Sequence, residues 1–124
     1  MGLDTSHDCW HGPYSMFMRF RERLHFLIQS DPRIPWDEQY RKGLREAWVD
    51  GVYNGPEPIN SLMNHSDCDG EIPANECGPL ADALEALLVR MPERGTYDEI
   101  RPATLRFIAG LRRAAAAGEP VDFH

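Results

Sequence analysis

The sequence has few cysteines, no long apolar run and no excess of positive charge. Its three cysteines, Cys9, Cys68 and Cys77, cannot all pair within one chain, and the first residues lack the basic and apolar regions of a secretion signal. We therefore expect the protein to be located in a reducing cytoplasm. No apolar stretch approaches the roughly 20 residues that cross a bilayer, so we expect no membrane partner. The formal net charge of -7 disfavours duplex nucleic acid, because binding to it depends on Lys and Arg.

The chain does contain enough apolar and aromatic side chains for one core. Its 124 residues are 42% hydrophobic and include three Trp, four Tyr and five Phe. A chain of this length suits one domain better than two. We expect a single small domain over residues 1–124 that folds without a partner, and formation of a homo-oligomer is left open.

The spacing of apolar residues predicts a mainly α domain of about four helices with long functional loops. The first helix is predicted from Tyr14 to Ser30, the second from about Trp36 to Val49, the third after Pro73 to about Met91, and the last from Ile100 or Pro102 to a cap at Gly118. A short turn is predicted from Ile59 to Asn64. A small strand pair near the termini is a further expectation, with the apolar tail docked on the domain.

Each predicted helix has an apolar face that we expect to be buried. The inward residues are Phe17, Phe20, Leu24, Leu27 and Ile28 in the first helix, Trp36, Tyr40, Leu44 and Trp48 in the second, Leu80, Leu84, Leu87, Leu88 and Met91 in the third, and Leu105, Ile108 and Leu111 in the last. In the tail, Val121 and Phe123 supply the apolar contacts.

The first polar cluster is the segment Ser6-His7-Asp8-Cys9-Trp10-His11-Gly12. In an extended segment, His7, Cys9 and His11 project to one side, and imidazole and thiolate groups are ligands for zinc. An ordinary terminal strand or turn with a packed Trp10 explains each residue taken alone. As a group, however, the five residues after Ser6 offer hydrogen-bond donors, acceptors, a nucleophile and a stacking surface.

The second polar cluster is the segment Asn64-His65-Ser66-Asp67-Cys68-Asp69-Gly70-Glu71. Counted from His65, it resembles the EF-hand calcium loop, with Asp67 at position three, Asp69 at position five, Gly70 at position six and Glu76 at position twelve. It departs from that loop by having His at the first position and prolines in the entering segment. The alternative is a tight turn, in which Gly70 has a positive φ and an Asp caps the helix after Pro73.

Two further groups of residues are candidates for chemistry. Arg19 and Arg23 lie one turn apart on the first helix, with Arg21 and His25 nearby on the side that we expect to be exposed, and they suit phosphate or carboxylate groups. The alternative is a solvated helix face paired with acidic residues. Cys77 is predicted to pack in the core. A nucleophile formed by Cys9 or Cys68 with a histidine is conceivable but has no local signature.

Several segments together carry a family resemblance. These are Met1-Gly2-Leu3-Asp4, the first cluster, the residues Tyr14, Phe17, Arg19 and Phe20, the stretch Asn64 to Gly70, and the closing Gly118-Glu119 with Phe123. They resemble a family of short proteins, with no settled activity, that bacteriophages and prophages encode. The resemblance spans nearly the whole chain. It implies a bacterial host cytoplasm and an accessory role during infection.

The residue types and this resemblance predict a protein that binds and sequesters a small polar ligand, with a nucleotide-derived host immune signal as the most concrete class. The ligand-binding candidates are His7, Asp8, Cys9, Trp10, His11, Tyr14, Arg19, Arg23, His65, Asp67 and Asp69. In this hypothesis Trp10 or Tyr14 stacks on a base and an arginine meets phosphate.

Two alternatives belong to other classes. The first is a metal-dependent hydrolase that activates water on zinc or calcium, with His7, Cys9, His11, His65, Asp67 and Asp69 as the candidate metal ligands. The second is an inhibitor that covers a host enzyme through a surface face. Catalysis is the less favoured prediction.

Overall fold

Helices make up most of the residues that the structure describes, and short antiparallel strands lie near the two ends of the chain. The computed structural model describes residues 2–29, 48–49, 52–53, 58–65, 69–91 and 98–124. In chain order, the described elements are β1 (Gly2–Asp4), a 3-10 turn (Ser6–Asp8), β2 (His11–Pro13), α1 (Tyr14–Gln29), β3 (Trp48–Val49), β4 (Val52–Tyr53), α2 (Asn60–Met63), β5 (Glu71–Ile72), α3 (Ala74–Arg90), α4 (Ile100–Ala117) and β6 (Val121–Asp122). The predicted fold class is confirmed, and the turn predicted near Ile59 is α2.

Helix α1 follows Pro13 directly and buries the predicted apolar face. Phe17, Phe20 and Leu24 are fully buried, and Leu27 is nearly so. Their spacing of three and four residues places them on one side of a helix, where they pack in the core. The side chain of Ile28 lies outside the described residues.

The prediction of a second helix is wrong for its last two residues. Trp48 and Val49 form β3, which pairs antiparallel with β4 in the register Trp48↔Tyr53 and Val49↔Val52. Aromatic and β-branched residues suit such an extended pair. The rest of that predicted helix, with Trp36, Tyr40 and Leu44, lies outside the described residues, as does the side chain of Trp48.

Helices α3 and α4 pack against each other more extensively than any other described pair of elements. Helix α3 buries Leu80, Leu84 and Leu87 as predicted, Met91 at its end is buried, and Leu88 is partly buried. Helix α4 buries the predicted residues Ile108 and Leu111, and its cap Gly118 has the left-handed φ of 67° that ends a helix. The bounds of α3 and α4 also agree with the prediction.

The prediction that Leu105 of α4 is buried is wrong. Leu105 is 50% exposed, whereas Thr104 and Phe107 are fully buried. The hydroxyl of Thr104 donates to the carbonyl of Ile100 at 2.7 Å, so its polar group is satisfied inside the core. Burial of Thr104 and Phe107 therefore leaves Leu105 on the outer side of the helix.

The C-terminal tail joins the two ends of the chain. On one side β6 pairs with β5, with Ile72 opposite Val121. On the other side Phe123 forms a bridge with Thr5. Val121 and Phe123 are both buried, which confirms that the tail docks. Because of this pairing, the tail holds the N-terminal strands next to the second polar cluster.

Aromatic rings form the centre of the core. Phe20 packs on Phe107 with ring centroids 5.7 Å apart, and Phe17 meets Phe123 edge-on at 5.9 Å. Trp10 completes this group from the N-terminal side. Among the described residues, no helix has both the length and the apolar character needed to cross a bilayer.

Candidate functional site

The first polar cluster does not run as an extended strand. Ser6–Asp8 is a 3-10 turn in which His7 and Asp8 both have a φ of 58°, in the left-handed region that non-glycine residues seldom occupy. The expectation that His7, Cys9 and His11 share one face is therefore wrong. Cys9 is fully buried, whereas His11 lies on the surface and pairs with the carboxylate of Asp4.

Helix α4 holds this turn in place through three residues on one face. The Nε of Arg106 donates to the carbonyl of Asp8 at 3.3 Å, and its Nη2 pairs with the Asp8 carboxylate. One turn further along, a Cβ on Gly110 would lie 2.4 Å from the Sγ of Cys9. The Nη2 of Arg113 donates to the carbonyl of His7 at 2.5 Å. Gly110 thus permits a close approach that the two arginines secure.

Sequence reasoning missed these three α4 residues. Arg106, Gly110 and Arg113 recur at spacings of four and three, so they share a helix face. A glycine in the middle of a strongly apolar-periodic helix, with an arginine on each side on the same face, is a signal for close packing against a polar loop. The segment that packs there is distant in sequence and could not be identified from the spacing.

Two titratable side chains in the cluster are perturbed by their surroundings. The hydrogen bond from Arg106 lowers the pKa of the Asp8 carboxyl, and the charges of Arg106 and Arg113 act in the same direction. Burial raises the pKa of the Cys9 thiol to about 12. Cys9 is therefore a neutral thiol at neutral pH, and its full burial disfavours the predicted roles of thiolate ligand and nucleophile. Cys68 lies outside the described residues.

Trp10 is packed in the core rather than open for stacking. Its ring centroid lies 5.2 Å from those of both Phe17 and Phe20, and the residue is only 8% exposed. The expectation that Trp10 stacks on a base is wrong, because core rings already cover it. Its Nε1 is nevertheless buried with no hydrogen-bond partner among the described residues.

This indole lies in the wall of an open cleft of about 360 Å³, which we call the Trp10 cleft. The residues that line it are Cys9, Trp10, His11, Gly12, Pro13, Met16, Pro102, Ala103 and Arg106. Most of these are apolar. The Nε1 atom lies close to Gly12, since a Cβ on that glycine would be 3.6 Å from it. The first cluster therefore contributes one wall, and α1 and α4 contribute the others.

Three of the described side chains that line the cleft carry hydrogen-bonding nitrogen atoms. They are the indole of Trp10, the guanidinium of Arg106 and the imidazole of His11. The Nδ1 of His11 pairs with Asp4, so its ring orientation is fixed. Asp4 pairs with His11 and Asp8 pairs with Arg106, but neither carboxylate belongs to the lining of the cleft.

The remaining ligand candidates of the N-terminal half do not line the cleft. The Nε2 of His7 lies 3.4 Å from Glu119, and Tyr14 packs against the core. Arg19 is exposed on α1, and Arg23 on the same helix is partly buried. The first cluster and these arginines thus do not form one site.

The prediction that Arg21 and His25 lie on an exposed side of α1 is wrong. Arg21 is 4% exposed and His25 is fully buried. The guanidinium of Arg21 lies over the ring of Phe17, 4.7 Å from its centroid, and its Nη1 donates to the carbonyl of His65 at 2.8 Å. Arg21 therefore links α1 to the second cluster as part of the packed structure.

The second cluster forms a turn at Gly70, as the simpler prediction had it. Gly70 has a φ of 85°, and Asp69 beside it is exposed. The predicted Asp cap is wrong, because α3 begins at an N-cap Pro73 with no side-chain cap bond. Glu76, the twelfth position of the calcium-loop alignment, accepts a hydrogen bond from Ser61 at 2.5 Å. Asp67 lies outside the described residues.

The tail separates the two clusters. The imidazole of His65 packs on Phe123 with ring centroids 3.9 Å apart, and the amide of Phe123 donates to the carbonyl of Gly70 at 2.8 Å. Cys77 is fully buried, with its Sγ 3.3 Å from the carbonyl of Pro73, so its packing role is confirmed. Among the described residues, no three His, Cys, Asp or Glu side chains group as a metal site.

Comparison of the chain with protein-family models, with curated proteins and with solved structures found no match. The chemistry of the Trp10 cleft therefore has to be inferred from its own residues.

Proposed function

We propose that the protein binds and sequesters a small molecule in the Trp10 cleft. The observation that carries the proposal is the buried Nε1 of Trp10, which has no acceptor among the described residues. Leaving a buried donor unpaired costs about 1–3 kcal/mol, which a ligand that presents an acceptor would recover. An apolar cleft with a few fixed polar groups is the usual form of a small-molecule site.

The dimensions of the cleft favour a small ligand. Its volume of about 360 Å³ lies near the lower end of the range for such sites. Pro13, Met16, Pro102 and Ala103 offer apolar contact to one flat ring system. A ring that carries an acceptor would satisfy Trp10 while its faces contact these side chains.

We propose binding rather than catalysis because the cleft lacks an activated nucleophile among its described residues. The one thiol among the described lining residues, that of Cys9, has a pKa of about 12 and is fully buried. A neutral, inaccessible thiol attacks substrates poorly. The described donors suit holding a ligand.

A nucleotide-derived host immune signal is our proposed ligand class. A base would occupy the apolar part of the cleft and accept the hydrogen bond of Trp10, and a phosphate would reach Arg106. The sequence-based hypothesis assigns phosphate binding to Arg19 or Arg23. Because those two residues do not line the cleft, we assign phosphate binding to Arg106 instead. Sequestration of such a signal by a phage-encoded protein in the bacterial cytoplasm is the corresponding biological role.

Titration of ¹⁵N-labelled protein with adenosine, ADP-ribose and a cyclic dinucleotide tests this proposal. We expect the indole N–H resonance of Trp10 to shift downfield with at least one ligand, because it gains an acceptor, and the melting temperature to rise. A Trp10→Phe variant assigns the resonance. It keeps an aromatic ring in the core but should lose about fivefold in affinity, as for one hydrogen bond.

Tyr14→Phe is the matched control, because it also removes one donor from an aromatic side chain but lies outside the cleft lining. Its affinity should equal that of the wild type. If none of the three ligands moves the Trp10 resonance or the melting temperature, the nucleotide class is wrong. Equal losses in both variants would place the ligand outside the cleft.

A further inference from the structure

The charged groups around the Trp10 cleft are arranged asymmetrically. The guanidinium of Arg106 belongs to the lining, whereas its partner Asp8 does not. The indole of Trp10 in the lining is a hydrogen-bond donor, and the Nδ1 of His11 is already paired with Asp4. Among the described lining residues, a ligand therefore meets the guanidinium of Arg106 and the indole of Trp10, and no carboxylate.

The pairing of Arg106 with Asp8 is open to competition. The Asp8 side chain is 69% exposed and that of Arg106 is 47% exposed, so solvent reaches both partners. Exposed ion pairs of this kind contribute little free energy, because water solvates the separated charges well. An anionic ligand that entered the cleft would replace the carboxylate of Asp8 as the partner of Arg106. Water would then solvate the Asp8 side chain.

We propose that the ligand of the Trp10 cleft carries one anionic group, a carboxylate or a phosphate, that replaces Asp8 on Arg106, while a second acceptor of the ligand takes the N–H of Trp10. Asp8 is then a built-in competitor that weakens binding of the anion. This inference rests on the proposed binding function. It adds that the anion displaces Asp8 from Arg106 and that Asp8 is the residue that limits its affinity.

The backbone of Asp8 makes this role testable without loss of the turn. Its φ of 58° lies in the left-handed region, which Asn occupies more readily than most residues. Asp8→Asn therefore removes the charge and retains the local conformation. The Nε hydrogen bond from Arg106 to the carbonyl of residue 8 is also retained in this variant.

Three probes with the same phenyl ring separate the possible ligand charges: benzoate, phenyl phosphate and neutral benzamide. Each is titrated into ¹⁵N-labelled wild type, Asp8→Asn and Arg106→Gln, with the Trp10 indole resonance as the readout. We expect Asp8→Asn to bind one or both anions about threefold to fivefold more tightly and benzamide unchanged. Arg106→Gln should lose the preference for the anions. Tighter binding of benzoate alone identifies a carboxylate ligand, and of phenyl phosphate alone a phosphate ligand.

Arg112→Gln is the matched control on the same helix, since Arg112 pairs with Asp82 and Glu85 and does not line the cleft. It should bind all three probes as the wild type does. The inference is overturned, with the binding function intact, if benzamide binds as well as the anions and Asp8→Asn changes neither. If no probe moves the Trp10 resonance in any variant, the binding function itself fails.

Discussion

Two consecutive residues with left-handed backbone conformations determine the shape of the first cluster. His7 and Asp8 would each favour a negative φ, and their conformation persists because contacts from α4 hold it. Arg113 binds the carbonyl of His7, and Arg106 binds both the carbonyl and the carboxylate of Asp8. Strain at such positions is common where a protein positions functional groups. Here the turn places Trp10 and His11 at the wall of the cleft.

Gly110→Ala should destabilise the protein. The new Cβ would lie 2.4 Å from the Sγ of Cys9 and 2.9 Å from both the Cα of Cys9 and the carbonyl oxygen of His7, so the backbone would have to move. We expect a loss of about 2 kcal/mol in the free energy of unfolding, measured in urea, because overpacking outweighs the better helix propensity of Ala. Gly78→Ala is the control, since a Cβ there meets nothing within 4 Å. It should change the free energy of unfolding by less than about 1 kcal/mol, because the better helix propensity of Ala is offset by the crowding of its Cβ against Pro79. Equal effects of the two variants would contradict the packing argument.

Arg106→Gln should raise the pKa of the Asp8 carboxyl toward its ordinary value of 3.8, because the hydrogen bond from Arg106 is the largest cause of its lowered pKa. A carboxyl with a lowered folded-state pKa stabilises the protein above its unfolded pKa, and this stability is lost as the pH falls through the folded value. The effect is small here because Asp8 is solvent-exposed. A ¹³C NMR titration of the Asp8 carboxyl between pH 2 and pH 6 measures the shift. Arg112→Gln should leave the midpoint unchanged, and a midpoint that is also unchanged in Arg106→Gln would show that the pair does not form in solution.

At the scale of elements, helices defined by local apolar periodicity could be predicted from the sequence, whereas their pairing partners could not. The bounds of α1, α3 and α4 follow from periodic apolar residues and from Pro and Gly at their ends. Trp48 also fits a helical spacing, but pairing with β4 makes Trp48 and Val49 a strand. Leu105 fits the helical face equally well, yet the contacts of α4 place Thr104 and Phe107 inward instead. Tertiary contacts decide in both cases.

Pro79→Ala should stabilise α3. Pro79 is exposed inside the helix, where it cannot donate the backbone hydrogen bond that continues the helix. We expect a gain of about 1 kcal/mol in thermal or urea unfolding, because the restored bond exceeds the loss of the rigidity that proline gives the unfolded chain. Pro102→Ala is the control, since Pro102 is in the first turn of α4, where no such bond is lost. A Pro79→Ala variant less stable than its control would show that proline is required at this position of α3.

At the scale of the whole molecule, the site is assembled from distant parts of the chain. Trp10 and His11 could be identified from the first cluster because aromatic and imidazole groups are concentrated there. Met16, Pro102 and Arg106 come from α1 and α4, and no local motif marks them. The sequence also could not show that the tail lies between the two clusters. The pairing of β6 with β5 and of Phe123 with Thr5 creates that arrangement, and these partners are far apart in the sequence.

Removal of Val121 to His124 tests how far the tail stabilises the whole fold. The truncated protein loses two buried side chains and the hydrogen bonds of the tail to Asp4 and Gly70. Loss of a buried Phe alone costs about 3–5 kcal/mol, out of the roughly 5–15 kcal/mol that stabilise a small domain. We therefore expect a large fall in melting temperature. Because the tail contacts both clusters, the resonances of Trp10 and His65 should change together.

Asp122→Asn in the full-length chain separates this packing effect from the charge of the tail. Asp122 is 60% exposed, and its backbone pairing with Glu71 does not need the carboxylate. Its free energy of unfolding should stay within about 0.5 kcal/mol of the wild type. A truncated protein as stable as the wild type, or one in which Trp10 shifts and His65 does not, would show that the tail is dispensable for holding the clusters together. If the truncation lowers the stability and changes both resonances, as we expect, the Trp10 cleft depends on the pairing of β6 with β5.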